Sequence, residues 1–269
     1  MANKTIEKLE DGSVKITFNI PWKTVEKERL HAAEHMASEV NVPGFRKGKA
    51  PIEKVIEKIS EEKLIEHTLS HILPEMFTKV IKDEKLRPAL YPKYNLVKAK
   101  PNEDWEVVAT TCEVPEVEVK GYTEKIKTIK FDKKAKEAPT TEEKENKVIE
   151  KLIESYEFSI PKMLIDEEVQ SRLASLLERL ERLGLSLENY LLSIKKSADE
   201  LRNEYATQAE KAIKLDLILQ YISVEEKIAI KDAEVETYMK TASMSPEQKE
   251  TVMLFLRKRK ALENLVQLV

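Results

Sequence analysis

Glycine is scarce in this chain, and that scarcity limits the folds open to it. Only 5 of the 269 residues are glycine, while 35% are charged, against roughly 25% in an average soluble domain. Tight turns between strands use glycine at left-handed backbone positions, whereas long charged side chains suit solvated helices. We therefore predict an elongated, helix-dominated molecule of one or two domains.

Start signals for helices are clear after Pro139. Hydroxyl residues are followed three positions later by Glu or Gln in three places, Thr140 with Glu143, Ser197 with Glu200, and Ser245 with Gln248. This is the spacing of a capping box, and Gly184 stands where a helix C-cap belongs. The sequence predicts an all-α domain over 140–269, with helices near 141–158, 162–183, 187–195, 198–222, 232–242 and 246–268.

The first 119 residues mix strand and helix signals. Apolar and polar residues alternate over 14–20, which is the period of a half-buried strand, and helical spacing follows over 23–40 and 61–85. Pro74 lies inside the second helix and is expected to kink or interrupt it. Valine-rich runs between prolines over 88–119 predict two or three strands. We therefore predict an α+β domain over 1–119.

A lysine-rich segment, 120–139, separates the two predicted domains. It shows little periodic apolar content, so we interpret it as an extended, solvated connector rather than as part of either core.

Composition excludes several classes of protein. The 46 basic and 49 acidic side chains give a net charge of −3, so any contact with nucleic acid must come from a local patch. Cys112 is the single cysteine, which fits a reducing compartment. Charged residues interrupt the apolar positions of 1–20, and no run of about 18 apolar residues occurs. We expect a cytoplasmic protein without a membrane partner.

One short segment concentrates chemistry that the rest of the chain lacks. It reads Gly44-Phe45-Arg46-Lys47-Gly48-Lys49-Ala50-Pro51 and uses two of the five glycines. Such close glycines allow a tight, exposed backbone excursion. An aromatic ring next to a guanidinium and two ammonium groups suits a phosphate- or carboxylate-bearing surface. The residues thus predict an anion-facing loop without naming its partner, and a plain solvated basic turn is the alternative.

Other candidate sites are weaker. The four histidines form two pairs with helical i, i+4 spacing, His31 with His35 and His67 with His71. Each pair is half of a zinc or nickel site, but polar helix surface is the favoured interpretation, so no metal is assigned. We find no nucleophile motif, no phosphate-binding glycine loop and no need for a cofactor. No catalytic residue is predicted.

The loop segment resembles the ribosome-binding signature of trigger factors, G-F-R-x-G-K-x-P, without a mismatch. The helical half also resembles that family's chaperone domain at Ile160–Ile165, Leu183–Tyr190 and Arg257–Leu262. The resemblance implies that Gly44, Phe45, Arg46, Lys47, Gly48, Lys49 and Pro51 dock on the large ribosomal subunit. The implied targets are an exit-site protein and nearby ribosomal RNA.

The sequence departs from the family pattern in one respect. Typical members place an FKBP-type prolyl-isomerase domain between the docking and helical parts, and here about twenty residues separate Val119 from Thr140. A domain of roughly 100 residues does not fit in that space. We therefore predict a short form that is not an enzyme.

A chaperone of this kind must hold exposed apolar segments of nascent and unfolded polypeptides. Flexible thioethers and neighbouring apolar side chains in the helical half are candidates for that contact, although ordinary core packing explains each one alone. They are Met163, Met239, Met244, Met253, Leu254 and Phe255. A homodimer away from the ribosome is a further expectation.

The favoured function is an ATP-independent holdase at the ribosomal polypeptide exit. Two alternatives remain open from sequence. One is an RNA-binding or ribosome-assembly module whose main contact is the basic loop. The other is a periplasmic-type carrier of outer-membrane proteins, whose helical domain is similar.

Overall fold

A computed structural model describes residues 3–131 and 139–269, and the side chain of Asn3 lies outside the description. The chain divides into two compact units, Met1–Val114 and Pro115–Val269. Each unit has its own hydrophobic core.

The first unit is built on a four-stranded antiparallel sheet. Its strands lie in the order β1-β2-β4-β3, and their bounds are β1 Asn3–Lys8, β2 Ser13–Ile20, β3 Lys93–Lys98 and β4 Trp105–Cys112. Central strand β2 pairs with β1 on one side and with β4 on the other, where Phe18 faces Val107. Alternate residues of β2 are fully buried, as the period-two pattern predicts.

Three helices accompany the sheet: α1 Trp22–Met36, α2 Ile52–Ile56 and α3 Glu61–Glu84. One face of α3 supplies Leu69, Ile72 and Phe77 to the core formed by the sheet. The first half of α3 packs on α1, where Ala32, Ala33 and Leu64 are fully buried. The small alanines allow the two helix backbones to approach closely.

Three expectations for the first unit need correction. Strand β1 was not predicted, because Ile6 is its only large apolar residue and its pairing with β2 is non-local. Pro74 does not interrupt α3, which is continuous from Glu61 to Glu84. The predicted strands over 88–119 end at Cys112, so Val114 and the valines after it lie outside the sheet.

The second unit is helical among its described residues. Its helices are α4 Tyr122–Lys127, α5 Thr141–Ser155, α6 Lys162–Arg182, α7 Leu187–Ile194, α8 Ala198–Glu225, α9 Asp232–Thr241 and α10 Lys249–Val266, with a 3-10 turn Pro246–Gln248 before α10. The predicted all-α architecture is confirmed.

The predicted helix signals hold at atomic detail. At the start of α5, the Glu143 amide donates to Thr140 Oγ1 at 3.2 Å and the Thr140 amide donates to Glu143 Oε2 at 2.9 Å. At the end of α6, Gly184 takes φ +66°, and the Leu185 amide donates to the Leu180 carbonyl at 2.9 Å. Glycine is favoured there because a side chain strains this left-handed conformation.

The predicted extended connector is wrong over its first half. Residues Tyr122–Lys127 form α4, and Val119 and Ile126 are buried in the core of the second unit. The many lysines in this segment made the helical spacing of its apolar residues difficult to recognise from sequence. Lys125 Nζ also donates to the Ser155 carbonyl at 3.1 Å and lies 3.9 Å from the Tyr156 ring centroid. The predicted connector residues 132–138 lie outside the described part of the chain.

The core of the second unit joins α4, α5, α8 and α10 through fully buried aliphatic side chains. Central members are Val148, Leu152, Ile218, Ile222 and Leu265. Across the described ranges, 3–131 and 139–269, no helix combines the length and hydropathy needed to cross a bilayer.

Candidate functional site

The basic loop, residues 37–51, joins α1 to α2 and is held by its own backbone. The Gly48 amide donates to the Ala37 carbonyl at 3.2 Å, which closes the loop at its base. The Phe45 amide donates to the Val42 carbonyl at 3.1 Å, and the Lys49 amide donates to the Arg46 carbonyl at 2.9 Å. Two successive turns therefore shape the tip.

Glycine is required at two positions of this loop. Gly44 has φ +84° and Gly48 has φ +74°, both in the left-handed region. A Cβ at Gly44 would meet no atom within 4 Å, so the requirement is conformational rather than steric. The predicted reason for the two glycines is confirmed by these angles.

Beneath the tip lies a small apolar base. Val42 is 5% exposed and packs with Ala37 and Val55, with Val40 and Ile59 at the margin. Pro51 is the N-cap residue of α2, which carries Val55 into this cluster. The base fixes the loop to α1 and α2 and leaves the tip free to present side chains.

The tip is exposed and cationic. Phe45 is 45% exposed, and Arg46, Lys47 and Lys49 are exposed as well. None of these three cations forms a side-chain ion pair with any residue that the structure describes. The loop therefore presents an aromatic ring and three exposed cations on one short turn.

An ion pair links α1, which leads into the loop, to the start of α3. Arg29 of α1 forms two hydrogen bonds with Glu61 of α3, with Nη1–Oε1 at 2.5 Å and Nη2–Oε2 at 3.2 Å. The Arg29 side chain is only 12% exposed. Hydrogen bonding from Arg29 lowers the pKa of the Glu61 carboxyl below its ordinary value. The pair adds a polar contact between α1 and α3 beside their buried apolar contact.

The two histidine pairs, predicted as separate polar surface, lie together. Ring centroids of His31 and His71 are 5.6 Å apart, and those of His35 and His67 are 6.2 Å apart. Sequence reasoning missed this association, because it depends on the packing of α1 against α3.

The six apolar candidates of the helical unit do not form a uniformly exposed set. Phe255 is 45% exposed and stacks obliquely on Tyr238, with ring centroids 5.6 Å apart. The other five are half-buried: Met163, Met239, Met244, Met253 and Leu254. Phe255 also lines a groove of about 750 Å³ between α5, α8 and α10, together with Leu219, Leu262 and Val266.

Sequence reasoning missed a group of exposed apolar side chains in this unit. They are four leucines around the α6–α7 turn, here named the tip leucines: Leu177 at 48% exposed, Leu183 at 72%, Leu185 at 47% and Leu192 at 71%. Beneath them, Leu176, Leu180 and Leu201 are buried. The sequence signal was the high density of leucines over 183–192, because so small a hydrophobic cluster cannot bury all of their side chains.

The single cysteine shows no sign of catalysis. Cys112 is fully buried at the end of β4, and burial raises the pKa of its thiol to about 11. A thiol with such a pKa is almost entirely protonated at neutral pH and is a poor nucleophile.

Comparison with known proteins places both units. A family profile described as "Bacterial trigger factor protein (TF)" matches residues 2–152, and one described as "Bacterial trigger factor protein (TF) C-terminus" matches residues 122–269. Each profile covers more than half of the chain.

Curated relatives and a solved structure agree with the profiles. "Trigger factor" of Corynebacterium aurimucosum is 30% identical over 148 residues, which cover 55% of this chain and 32% of the relative. "Trigger factor" of Carboxydothermus hydrogenoformans is 34% identical over 119 residues, covering 44% and 28%. The matches thus span about a third of the length of these relatives.

A solved structure described as "Promiscuous Substrate Recognition in Folding and Assembly Activities of the Trigger Factor Chaperone" has the same fold, with a TM-score of 0.60 at 15% identity. The structural alignment covers 98% of this chain and 99% of the matched chain.

Proposed function

Because this chain belongs to the bacterial trigger factor family, we propose that it is an ATP-independent cytoplasmic chaperone. It docks on the large ribosomal subunit near the polypeptide exit and holds nascent or unfolded chains. The observation that carries the proposal is the basic loop, which exposes Phe45 and three cations that have no acidic partner among the described residues. No G-x-x-x-x-G-K-[ST] phosphate loop occurs in the sequence, in keeping with action without ATP.

Docking follows from the chemistry of the tip. Arg46, Lys47 and Lys49 form no ion pair with the acidic side chains of residues 3–131 and 139–269, so their interaction with phosphates or carboxylates is available to a partner. Phe45 adds a flat apolar surface for a base or an apolar side chain. The buried base at Val42 limits the conformational entropy lost when the tip binds.

Holding of unfolded chains follows from two apolar surfaces of the helical unit. One is the groove lined by Leu219, Phe255 and Leu262, and the other is the set of tip leucines. Exposed apolar surface within a strongly charged chain suits contacts with many sequences, each weak enough to permit release.

We also propose that the protein acts without prolyl-isomerase chemistry. Val119 and Tyr122–Lys127 already belong to the helical unit, and α5 begins at Thr141. The segment between them is far shorter than the roughly 100 residues of an inserted domain.

Co-sedimentation with large ribosomal subunits tests the docking. Phe45→Ala, Arg46→Ala and Lys47→Ala combined should reduce the bound fraction at least tenfold at low salt, and added salt should weaken the parent in the same way. The matched control combines Tyr91→Ala, Lys79→Ala and Lys82→Ala, which removes one exposed ring and two exposed cations of the same unit. Equal sedimentation of both variants would refute docking through the basic loop.

A second assay separates the RNA-binding alternative. The parent should suppress aggregation of a chemically unfolded client, and the triple loop variant should suppress it equally well because the loop lies in the other unit. Tight binding of naked ribosomal RNA without any effect on client aggregation would favour the RNA-binding module instead.

A further inference from the structure

All four histidines of the chain meet at one place. His31 and His35 lie on consecutive turns of α1, and His67 and His71 lie on consecutive turns of α3, so each pair shares a helix face. Five of the six ring pairs have centroids 4.5–6.2 Å apart. Four imidazoles are thereby gathered between two packed helices.

The ring spacing brackets the value expected for imidazoles around one ion. Ligand nitrogens of a tetrahedral zinc site at about 2.0–2.1 Å from the metal lie about 3.3 Å from each other, with ring centroids about 5 Å apart. His31 Nε2 and His35 Nε2 are separated by 3.2 Å. The observed centroid distances fall on both sides of the tetrahedral value.

The two histidines of α3 hold nitrogens that lack a partner. His67 Nδ1 and His71 Nε2 are buried, and neither has a hydrogen-bond partner among the described residues. Buried polar atoms in proteins are nearly always satisfied by protein, water or an ion. Two such nitrogens in the same four-ring cluster point to a shared ligand.

A carboxylate stands behind one ring. Glu28 Oε2 lies 3.7 Å from His31 Nδ1, on the side of the ring away from the Nε2 that approaches His35. In metal sites a carboxylate at the outer nitrogen fixes the tautomer and orients the inner nitrogen toward the metal.

We propose that these four histidines form a binding site for one divalent transition-metal ion of the zinc class. The ligands are Nε2 of His31, His35 and His71 and Nδ1 of His67, with Glu28 as the outer carboxylate. An all-imidazole set selects zinc, copper or nickel over magnesium or calcium, which prefer oxygen.

Ion binding must also draw the rings inward. In the described residues, no three histidine, cysteine or acidic side chains already stand around a common point as a metal site requires. The terminal torsion of histidine is broad and soft, so the α3 rings can turn toward the α1 pair with little backbone movement. The exposed pair on α1 provides the entry path, because His31 is 50% exposed.

The site would act as a clamp. It joins the last turns of α1, which lead directly into the basic loop, to the first half of α3. The inference is independent of ribosome docking, since it depends on the histidine geometry alone.

Titration of the tag-free full chain with Zn²⁺ and Co²⁺ tests the proposal. We expect one ion per chain, with an intense visible Co²⁺ spectrum typical of four-coordinate geometry and no competition from excess Mg²⁺. His31→Gln with His35→Gln, and His67→Gln with His71→Gln, should each lower Zn²⁺ affinity more than about 100-fold, while Glu28→Gln should lower it about tenfold. The matched control is Glu34→Gln, an exposed carboxylate of the same helix.

Ring ¹⁵N spectra of the parent chain need no variant, because the chain has no other histidine. All four rings should shift together in one saturating step. Two ions per chain, loss of affinity in one pair variant only, shifts in two rings only, or no binding at micromolar Zn²⁺ would each overturn the shared site.

Discussion

Two turns of this molecule both place a glycine in the left-handed conformation, but they expose chemically different side chains. The basic loop has Gly44 at φ +84°, and the α6–α7 turn has Gly184 at φ +66°. Each turn stands on a buried apolar base, Val42 in the first and Leu180 in the second. The basic loop exposes cations and one ring, whereas the α6–α7 turn exposes leucines.

The difference fits the two kinds of partner that we propose for this chain. A charged, pre-shaped tip suits a structured anionic surface, to which it can bind with defined geometry. A leucine tip offers no directional groups and suits segments of many sequences. In both turns the base sets the position and the exposed residues set the chemistry, so the two roles are separable by mutation.

The largest expected effect is at the base of the α6–α7 turn. Leu180→Ala should destabilise the helical unit by about 2–5 kcal/mol, because it leaves a cavity among Leu176 and Leu201. Val42→Ala, at the base of the basic loop, should cost only about 1.5 kcal/mol. Urea unfolding followed by circular dichroism measures both. Leu183→Ala is the surface control, and a loss for it as large as for Leu180→Ala would mean that base and tip are not distinct.

Glycine substitution should separate the two turns by function. Gly44→Ala and Gly184→Ala should each cost about 1 kcal/mol, because both put a side chain into the left-handed region. Gly44→Ala should weaken ribosome co-sedimentation and leave client holding intact, and Gly184→Ala should do the reverse. Each variant is the control for the other, and equal effects in both assays would contradict the separation.

Helix caps near the two turns should differ in strength. Ser197→Ala should cost about 1 kcal/mol, because it breaks a capping box in which the Glu200 amide donates to Ser197 Oγ at 3.1 Å. Ser60 caps α3 with a longer contact, 3.4 Å from the Lys63 amide, so Ser60→Ala should cost less. Thermal unfolding measures both, with Ser193→Ala as the control. A larger loss at Ser60 would reverse the ranking.

The smallest expected effect is the pH dependence of stability that arises from the ion pair between Arg29 and Glu61. The pKa of Glu61 is lowered in the folded state, because Arg29 donates hydrogen bonds to the charged carboxylate. The stabilisation is therefore present above the unfolded pKa of about 4.3 and is lost as pH falls through the folded pKa. Glu61→Gln should cost about 1 kcal/mol or less at pH 7, since Glu61 is half-exposed.

Urea midpoints of the parent and Glu61→Gln at pH 7 and pH 3 measure this dependence. The difference between the two proteins should shrink at the acidic pH. A difference that stays constant between the two pH values would show that the Glu61 charge contributes nothing to the stability of the folded state.

Local signals in the sequence predicted most of the helical unit. These signals are the capping pairs at Thr140 and Ser197 and the glycine at position 184. They act within a few residues, so they can be recognised without knowledge of the tertiary structure. The loop glycines were legible for the same reason. Edge strand β1 was not, because its single isoleucine becomes strand only by pairing with β2.

The candidate site was predictable in part. The exposed tip of the basic loop followed from composition within eight residues, whereas the meeting of His31 with His71 depends on how α1 packs on α3. The exposed tip leucines depend on the size of the cluster beneath them, which periodicity does not report. Exposure is a property of the assembled unit.

The burial of Val119 and Ile126 determines where this protein can be divided into fragments. A recombinant fragment beginning at Thr140 removes two side chains that fill the interior beside Val148 and Leu152, and it should be prone to self-association for reasons unrelated to client capture. A fragment beginning at Pro115 retains them, so it is the appropriate starting point for expressing the helical unit alone.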